Sequence, residues 1–358
     1  MKKFTCVLTV FLVALLLAGC AGTPVVYYSD CTCPVDSHTP VTLPAAPQLP
    51  VVTGGLKTGV SFTTSLSDSK SASADAAGEG TYDVSMVAVL VDDSGVIHDC
   101  VIDGISASLA FDNSGAITSD LSAAPQTKNE LGDSYGMVAW GGAIAEWDQQ
   151  AAALAAYVIG KNAAELNSVV VNESGYAADA DLASSATIYL GGYVSAIQEA
   201  AASAQYLGAQ SGDKLKLAAV TDLSSSTNAS AEAAGIAQLD VTITALTLSG
   251  DTITSCYIDG VQAKVSFDQN GAITSDLSAP ATKNQLGDSY GMVAWGGAIA
   301  EWNQQAASFA AYVTGKTADE VSGIAVDEST HPVDADLASS VTIAIGGFQG
   351  LIAKACRQ

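Results

Sequence analysis

Leu131 to Trp147 reads LGDSYGMVAWGGAIAEW, and Leu286 to Trp302 reads the same, letter for letter. The repetition extends outward on both sides. FDNSGAITSDLSA, from Phe111, returns as FDQNGAITSDLSA, from Phe267, and DADLASSAT, from Asp179, returns as DADLASSVT, from Asp334. A period of about 155 residues is far longer than a solenoid repeat and is the size of a whole domain. The chain therefore reads as a tandem pair of homologous domains, residues 56–209 and 210–358, each long enough for a core of its own. A recent duplication leaves identity as readily as a shared site does, so identity by itself marks no site.

Within each repeat the hydrophobic period changes from strand-like to helix-like. Tyr82 to Val91 alternates apolar and polar residues, and Asp92-Asp93-Ser94-Gly95 turns it into a second strand, Val96 to Ile102. Further strands are expected at Ser106–Asp112 and Ala116–Ser119, around the turn Asn113-Ser114-Gly115. Then Ile144, Trp147, Ala151, Leu154 and Val158 fall on one helical face, ended by Gly160. A short strand, Ala186–Leu190, precedes Gly191-Gly192 and a second helix, Tyr193 to Ala202. Strands first and helices later predict an α+β fold, with an antiparallel sheet and packed helices in each domain.

The N-terminus reads as a processing signal. Lys2 and Lys3 precede an apolar run, Val7–Leu17, that is too short to span a bilayer. Leu17-Ala18-Gly19-Cys20 resembles a bacterial lipobox. That resemblance implies a signal peptide over residues 1–19, lipid on Cys20 and a chain anchored on the outer face of the cell membrane. Residues 20–55 hold six of the nine prolines (24, 34, 40, 44, 47 and 50) and read as an extended tether.

Composition narrows the chemistry. The formal charge is −24, and loss of Lys2 and Lys3 with the signal takes it to −26, a balance that repels nucleic acid and anionic headgroups. The three histidines, His38, His98 and His331, are scattered and not repeated, and no C-x-x-C occurs, so zinc and haem sites are not expected. Cys31 and Cys33 lie in the tether. Cys100 and Cys256 occupy equivalent strand positions and read as buried small apolar residues, and Cys356 lies near the end of the chain. H-E-x-x-H does not appear, and although Gly132-Asp133-Ser134-Tyr135-Gly136 and its copy at Gly287–Gly291 spell G-x-S-x-G, the histidines are too few and unpaired for a repeated triad, so a hydrolase is not favoured.

One segment carries a chemical suggestion. Asp181-Leu182-Ala183-Ser184-Ser185-Ala186-Thr187 has the pattern D-x-x-S-x-A-T, and its copy is Asp336-Leu337-Ala338-Ser339-Ser340-Val341-Thr342. It resembles the flavinylation motif of FMN-binding domains in sodium-pumping quinone reductases and Rnf-type complexes. The family form reads S-G-A-T; here Ser185 and Ser340 replace its glycine, and Val341 replaces its alanine in the second copy. The wider pattern, T-K-N-x-L-G-D-x-Y-G-M, E-W-x-Q-Q, G-K, D-A-D-L-A-S-S-x-T-I and G-G, resembles the two-domain flavinylated lipoprotein of extracellular electron transfer in Gram-positive bacteria.

The resemblance implies two FMN groups, joined as phosphoesters to Thr187 and Thr342 by an FMN transferase. Small neighbours let such a loop enter the transferase, and Asp181 and Asp336 would orient the hydroxyl or help bind the transferase's metal. Ser184 and Ser339 belong to the same motif, and Gly191-Gly192 at a helix start offers N–H groups toward the phosphate. Tyr135, Met137 and Trp140, with Tyr290, Met292 and Trp295, have the side chains that stack on a conjugated ring; core packing is the other reading for Trp140. Trp147 and Trp302 read as core. Lys128 and Lys283 are either cations beside the flavin or solvated loop lysines. The expected function is a lipid-anchored electron carrier between a membrane quinol-linked donor and extracellular acceptors. The rivals are a surface binding or adhesin-type lipoprotein without cofactor, in which Asp181 merely caps a turn, and a flavin reductase with one defined acceptor.

Overall fold

The alternating run at Tyr82 is a strand that begins earlier than its pattern suggests: β2, Gly78–Val91. It lies between β1, Lys57–Ser65, and β3, Ile97–Phe111, in a three-stranded antiparallel sheet. The computed structural model describes residues 55–358; the signal, Cys20, Cys31, Cys33 and the proline-rich tether lie outside the described residues. A second, separate sheet is built the same way from β4, Lys214–Asp222, β5, Gly235–Ser249, and β6, Thr252–Phe267. The chain is thus mixed α and β, with two three-stranded antiparallel sheets.

Helices follow each sheet. The first set is α1 (Lys128–Leu131), α2 (Met137–Gly141), α3 (Trp147–Val158), α4 (Leu166–Val169), α5 (Ala180–Ala183) and α6 (Gly191–Ala202). The second set is α7 (Lys283–Leu286), α8 (Met292–Gly296), α9 (Trp302–Val313), α10 (Ala318–Ser322), α11 (Ala335–Ala338) and α12 (Gly346–Arg357). Among the described residues no helix is long and apolar enough to cross a membrane.

The structure adds one strand and corrects four expectations. β1 had no counterpart in the reading of the sequence. The two strands expected at Val96–Ile102 and Ser106–Asp112 are one continuous β3. Ala116–Ser119 forms only an isolated bridge, Phe111 to Ile117, and Ala186–Leu190 is not a strand. Ile144, placed on the helical face, lies before α3 and is exposed.

The burial of β2 explains the architecture. Tyr82, Val84, Met86, Ala88 and Leu90 point into one cluster, and Val87, Val89 and Val91 into another. The alternation of Tyr82–Met86 gives way to a continuous apolar run over Met86–Val91, where both faces of the strand are covered. The even-numbered face meets the other sheet: its cluster contains Leu239, Val241 and Ile243 of β5 and Val261 and Val265 of β6. The odd-numbered face packs on α3 and α6 through Leu154, Val158, Val194 and Ile197. The second sheet does the same with α9 and α12, through Phe309, Val313, Leu351 and Ile352. The layers therefore run helix, sheet, sheet, helix, and the central core is shared between the two halves.

Contacts across that core are reciprocal. Phe111 stacks on its counterpart Phe267 with ring centroids 4.0 Å apart and planes 1° from parallel. Ala72 N–H donates to the Gly271 carbonyl at 2.8 Å, and the corresponding Ala229 N–H donates to Gly115, also at 2.8 Å. This is the pattern of a two-fold-related pair, in which each contact appears twice. Gly115 and Gly271 sit in turns at positive φ, and a Cβ on either would meet the Cβ of Ala229 or Ala72 at 2.8 or 2.5 Å. Only glycine meets both demands.

Candidate functional site

The threonine segments are held by a buried glutamine. Asp179 caps α5 by accepting from the Asp181 and Leu182 N–H groups, and Ser184 Oγ closes the turn onto the Asp181 carbonyl at 2.7 Å. The cap is thus Asp179, and Asp181 points no hydrogen bond at Thr187. Ala186 is buried, which turns Thr187 outward to an exposed position. Gln150 Oε1, on α3, accepts from Thr187 N at 2.7 Å, Thr187 Oγ1 at 3.2 Å and Ile188 N at 3.2 Å. Its Nε2 donates to the Ala145 carbonyl at 2.8 Å.

The second copy repeats the arrangement. Gln305 accepts from Thr342 N, Thr342 Oγ1 and Ile343 N at 2.7, 3.2 and 3.2 Å. Asp334 caps α11, Ser339 Oγ bonds the Asp336 carbonyl, and Thr342 is exposed above buried Val341. A fully buried glutamine is costly unless its amide is used, and here each oxygen and nitrogen has a backbone partner.

One turn earlier on the same helix, Glu146 holds the neighbouring loop. Its carboxylate accepts from Met137 N at 2.8 Å and Val138 N at 2.9 Å, the first amides of α2. Glu301 does the same for Met292 and Val293 at 2.8 and 3.0 Å. Charge-assisted bonds to helix-terminal amides offset the burial of these carboxylates. The motif E-W-x-Q-Q is thus a double clamp, with the glutamate fixing the tryptophan loop and the second glutamine fixing the threonine loop. Glu146, Gln150, Glu301 and Gln305 were not singled out from the sequence, although polar residues repeated at helix starts carried the signal.

Trp140 and Trp295 correct one of their two readings: they are 90 % and 91 % exposed, so neither is core. Trp147 and Trp302, at 4 % and 7 %, are core as read. Tyr135 and Met137 are half-buried against the first helical cluster, and Tyr290 and Met292 against the second. Lys128 is no solvated loop lysine. Its ammonium lies 5.0 Å from the Trp147 ring and 5.3 Å from Tyr135, while Lys283 lies 4.7 Å from Trp302 and 5.2 Å from Tyr290. Burial lowers the Lys283 pKa, and the aromatic faces return part of that cost.

Beside Thr187 runs an open groove of about 980 Å³, lined by Trp147, Ile188, Tyr189, Gly192 and Tyr193 on one side and by Leu277 and Ala279 of the second half on the other. Tyr193 meets Trp147 edge-on at 5.8 Å. The groove thus gathers aromatic residues different from those expected to stack on a ring: Tyr135, Met137 and Trp140 are not in its wall. The helix start expected at Gly191-Gly192 is present, but Gly191 N–H already donates to the Gly175 carbonyl. Gly192 remains at the groove. Cys100 and Cys256 are buried and unbridged; burial pushes both thiols up, Cys256 to about 12, so they are inert apolar residues. No group of three or more metal-ligating side chains occurs among the described residues. No protein-family model, curated protein or solved structure matches the chain.

Proposed function

We propose that the chain is a pair of homologous FMN-binding domains, 56–209 and 210–358, carrying one covalent FMN on Thr187 and one on Thr342. In this reading it is an electron carrier of the flavinylated lipoprotein type, anchored through Cys20 to the outer face of the membrane. It takes electrons from a membrane quinol-linked donor and gives them to extracellular acceptors. The observation that carries the reading is the glutamine clamp. It fixes the amides of an exposed threonine and of the residue after it and accepts from the threonine hydroxyl, in both copies, with the same three contacts.

The residues present suit the group. Exposed Ser184 and Ser185 leave the Thr187 hydroxyl approachable by a transferase. The adjoining groove, at about 980 Å³, has room for a tricyclic ring, with Trp147, Tyr189 and Tyr193 as its aromatic wall. Bound there, FMN would supply the redox chemistry, while Lys128 holds positive charge 5.0 Å from the Trp147 ring of that wall; Lys283 lies 4.7 Å from Trp302 in the second copy.

Intact-mass spectrometry of protein made in a host that contains the FMN transferase tests this. Two FMN adducts that survive acid precipitation are expected; colourless, unmodified protein from that host sinks the assignment. That second result would favour a binding lipoprotein without cofactor, for which the two exposed tryptophans would be the contact points.

A further inference from the structure

The two halves meet along two seams related by the reciprocal pattern, and the seams are closed differently. In one, Lys354 of α12 reaches across to Glu130 at 2.5 Å, and its ammonium also donates to the Ala219 carbonyl at 2.6 Å. Nearby, Thr221 Oγ1 donates to the Pro125 carbonyl at 2.8 Å. In the other seam the counterparts of Lys354, Glu130 and Ala219 are Glu199, Gln285 and Phe62. The lysine has become an acid, so no ion pair can form there. The counterpart of Thr221, Thr64, is buried, and its hydroxyl has no partner.

What replaces the ion pair is a cavity of about 310 Å³. Glu199, Gln285 and Phe62 all line it, together with Ser61, Tyr257 and the buried carboxylate of Asp259. None of its lining residues is a lysine, arginine or histidine. The Glu199 carboxylate, which accepts from Ser61 Oγ at 3.1 Å, therefore faces a hollow where the twin seam holds the chain's own ammonium group. The Asp259 carboxylate in its wall is engaged by the Gly260 and Asn284 N–H groups at 2.7 and 3.0 Å and by the Tyr257 hydroxyl at 3.3 Å. Val60 and Leu207 supply apolar wall at the same place.

We propose that this cavity binds a small primary alkylammonium ion, which takes the place that Lys354 occupies in the twin seam. The ammonium donates to Glu199 and to the seam's backbone carbonyl, and its alkyl chain lies on Val60 and Leu207. An ammonium has three donors and no acceptor, matching a site whose charged members only accept. The cavity is at the small end of ligand-site volumes, which suits an amine of a few carbons. A cation here also offsets the cost of burying Asp259, whose pKa burial raises. The proposal does not depend on the flavin.

Titration calorimetry of the full chain with n-butylammonium chloride at neutral pH tests it, with tetramethylammonium as a probe of equal charge and no N–H donor. Saturable one-to-one binding of butylammonium is expected, about tenfold weaker for tetramethylammonium and about tenfold weaker in Glu199→Gln, since each removes a charge-assisted hydrogen bond. Glu199→Lys combined with Gln285→Glu copies the other seam and should abolish binding. No saturable binding to the unaltered chain overturns the proposal. Equal affinity for tetramethylammonium, or unchanged affinity in a folded Glu199→Gln variant, does so too, because either reports only attraction to an acidic surface.

Discussion

The loop Leu131–Trp147 and the strand β1 lie in the same half of the molecule, yet they recur in the second half with very different fidelity. Every letter of the loop returns at Leu286–Trp302. Of β1, KTGVSFTTS, only Lys57 and Thr64 return in β4, KLKLAAVTD. β2 and β5 share only Gly78, Asp83, Val84 and Ala88 with their counterparts. Burial constrains the strands to apolar residues of suitable volume, so Met86 can face Ile243 as its counterpart and Tyr82 can become Leu239. Within the loop, Glu146 and Trp147 are buried and Tyr135 and Met137 half-buried, but Ser134, Val138, Ala139 and Trp140 are exposed and free of that constraint. A recent duplication would have kept strands and loop alike. Packing therefore does not account for the identity at those exposed positions, nor at exposed Asp181 and Ser184 of DADLASS, whose copies are Asp336 and Ser339.

The comparison can be broken first at the threonines. Thr187→Ala together with Thr342→Ala should abolish covalent flavin completely, each single variant removing one adduct by intact mass. Melting should hardly move, because the side-chain hydrogen bond lost in each copy is long, at 3.2 Å, and only part-buried. Flavin retained in the double variant would move the attachment to a neighbouring hydroxyl, Ser185 or Ser340 first.

The next effect is on stability. Trp147→Ala should cost about 3–5 kcal/mol in chemical denaturation, since it empties a packed position under α3. A loss below about 1 kcal/mol would show that Trp147 serves the groove and not the core.

A smaller effect is expected at Asp103, which is buried, accepts from Gly104 N at 2.7 Å and Asn129 N at 3.1 Å, and is pushed up to about 6 by burial. Its folded pKa lies above the unfolded value, so its contribution is present in acid and lost as pH rises through about 6. Relative to Asp103→Asn, the unaltered protein should lose about 1–3 kcal/mol between pH 4 and pH 7. Parallel stability curves for the two proteins would contradict this.

The smallest effect is the sharpest contrast: Trp140→Ala, seven residues from Trp147, should change stability by no more than about 0.5 kcal/mol. A large loss would mean that the exposed loop is held by the fold after all.

Part of this molecule was legible in its letters, and the misses have local causes. The alternation in Tyr82–Val91 and the apolar face of α3 are period signals, and both elements are present. β1 was hidden by Gly59, which is there because a Cβ would strike the Ala200 carbonyl of α6 at 1.9 Å. β3 was split because Asp103-Gly104 resembles a break, whereas the aspartate is a buried acceptor in mid-strand. Ala186–Leu190 has strand-like letters, but the Thr187 and Ile188 amides are taken by Gln150 and not by a neighbouring strand. That clamp joins residues 37 apart, and its meaning could not be read before the fold brought them together. The motif threonines were visible in sequence, while the groove residues Tyr189 and Tyr193 were not.

Joining the halves through residues 203–213 has a consequence for what the seams can become. In a dimer of identical chains every substitution lands in both seams, so a latch made at one must be made at the other. A single chain escapes this. The link keeps the halves at an effective concentration on the order of millimolar even if one seam contributes little. Lys354 can then fasten one edge while Glu199 leaves the other ajar. A single chain can thus close its two edges by different chemistry, with an ion pair at one and a cavity at the other.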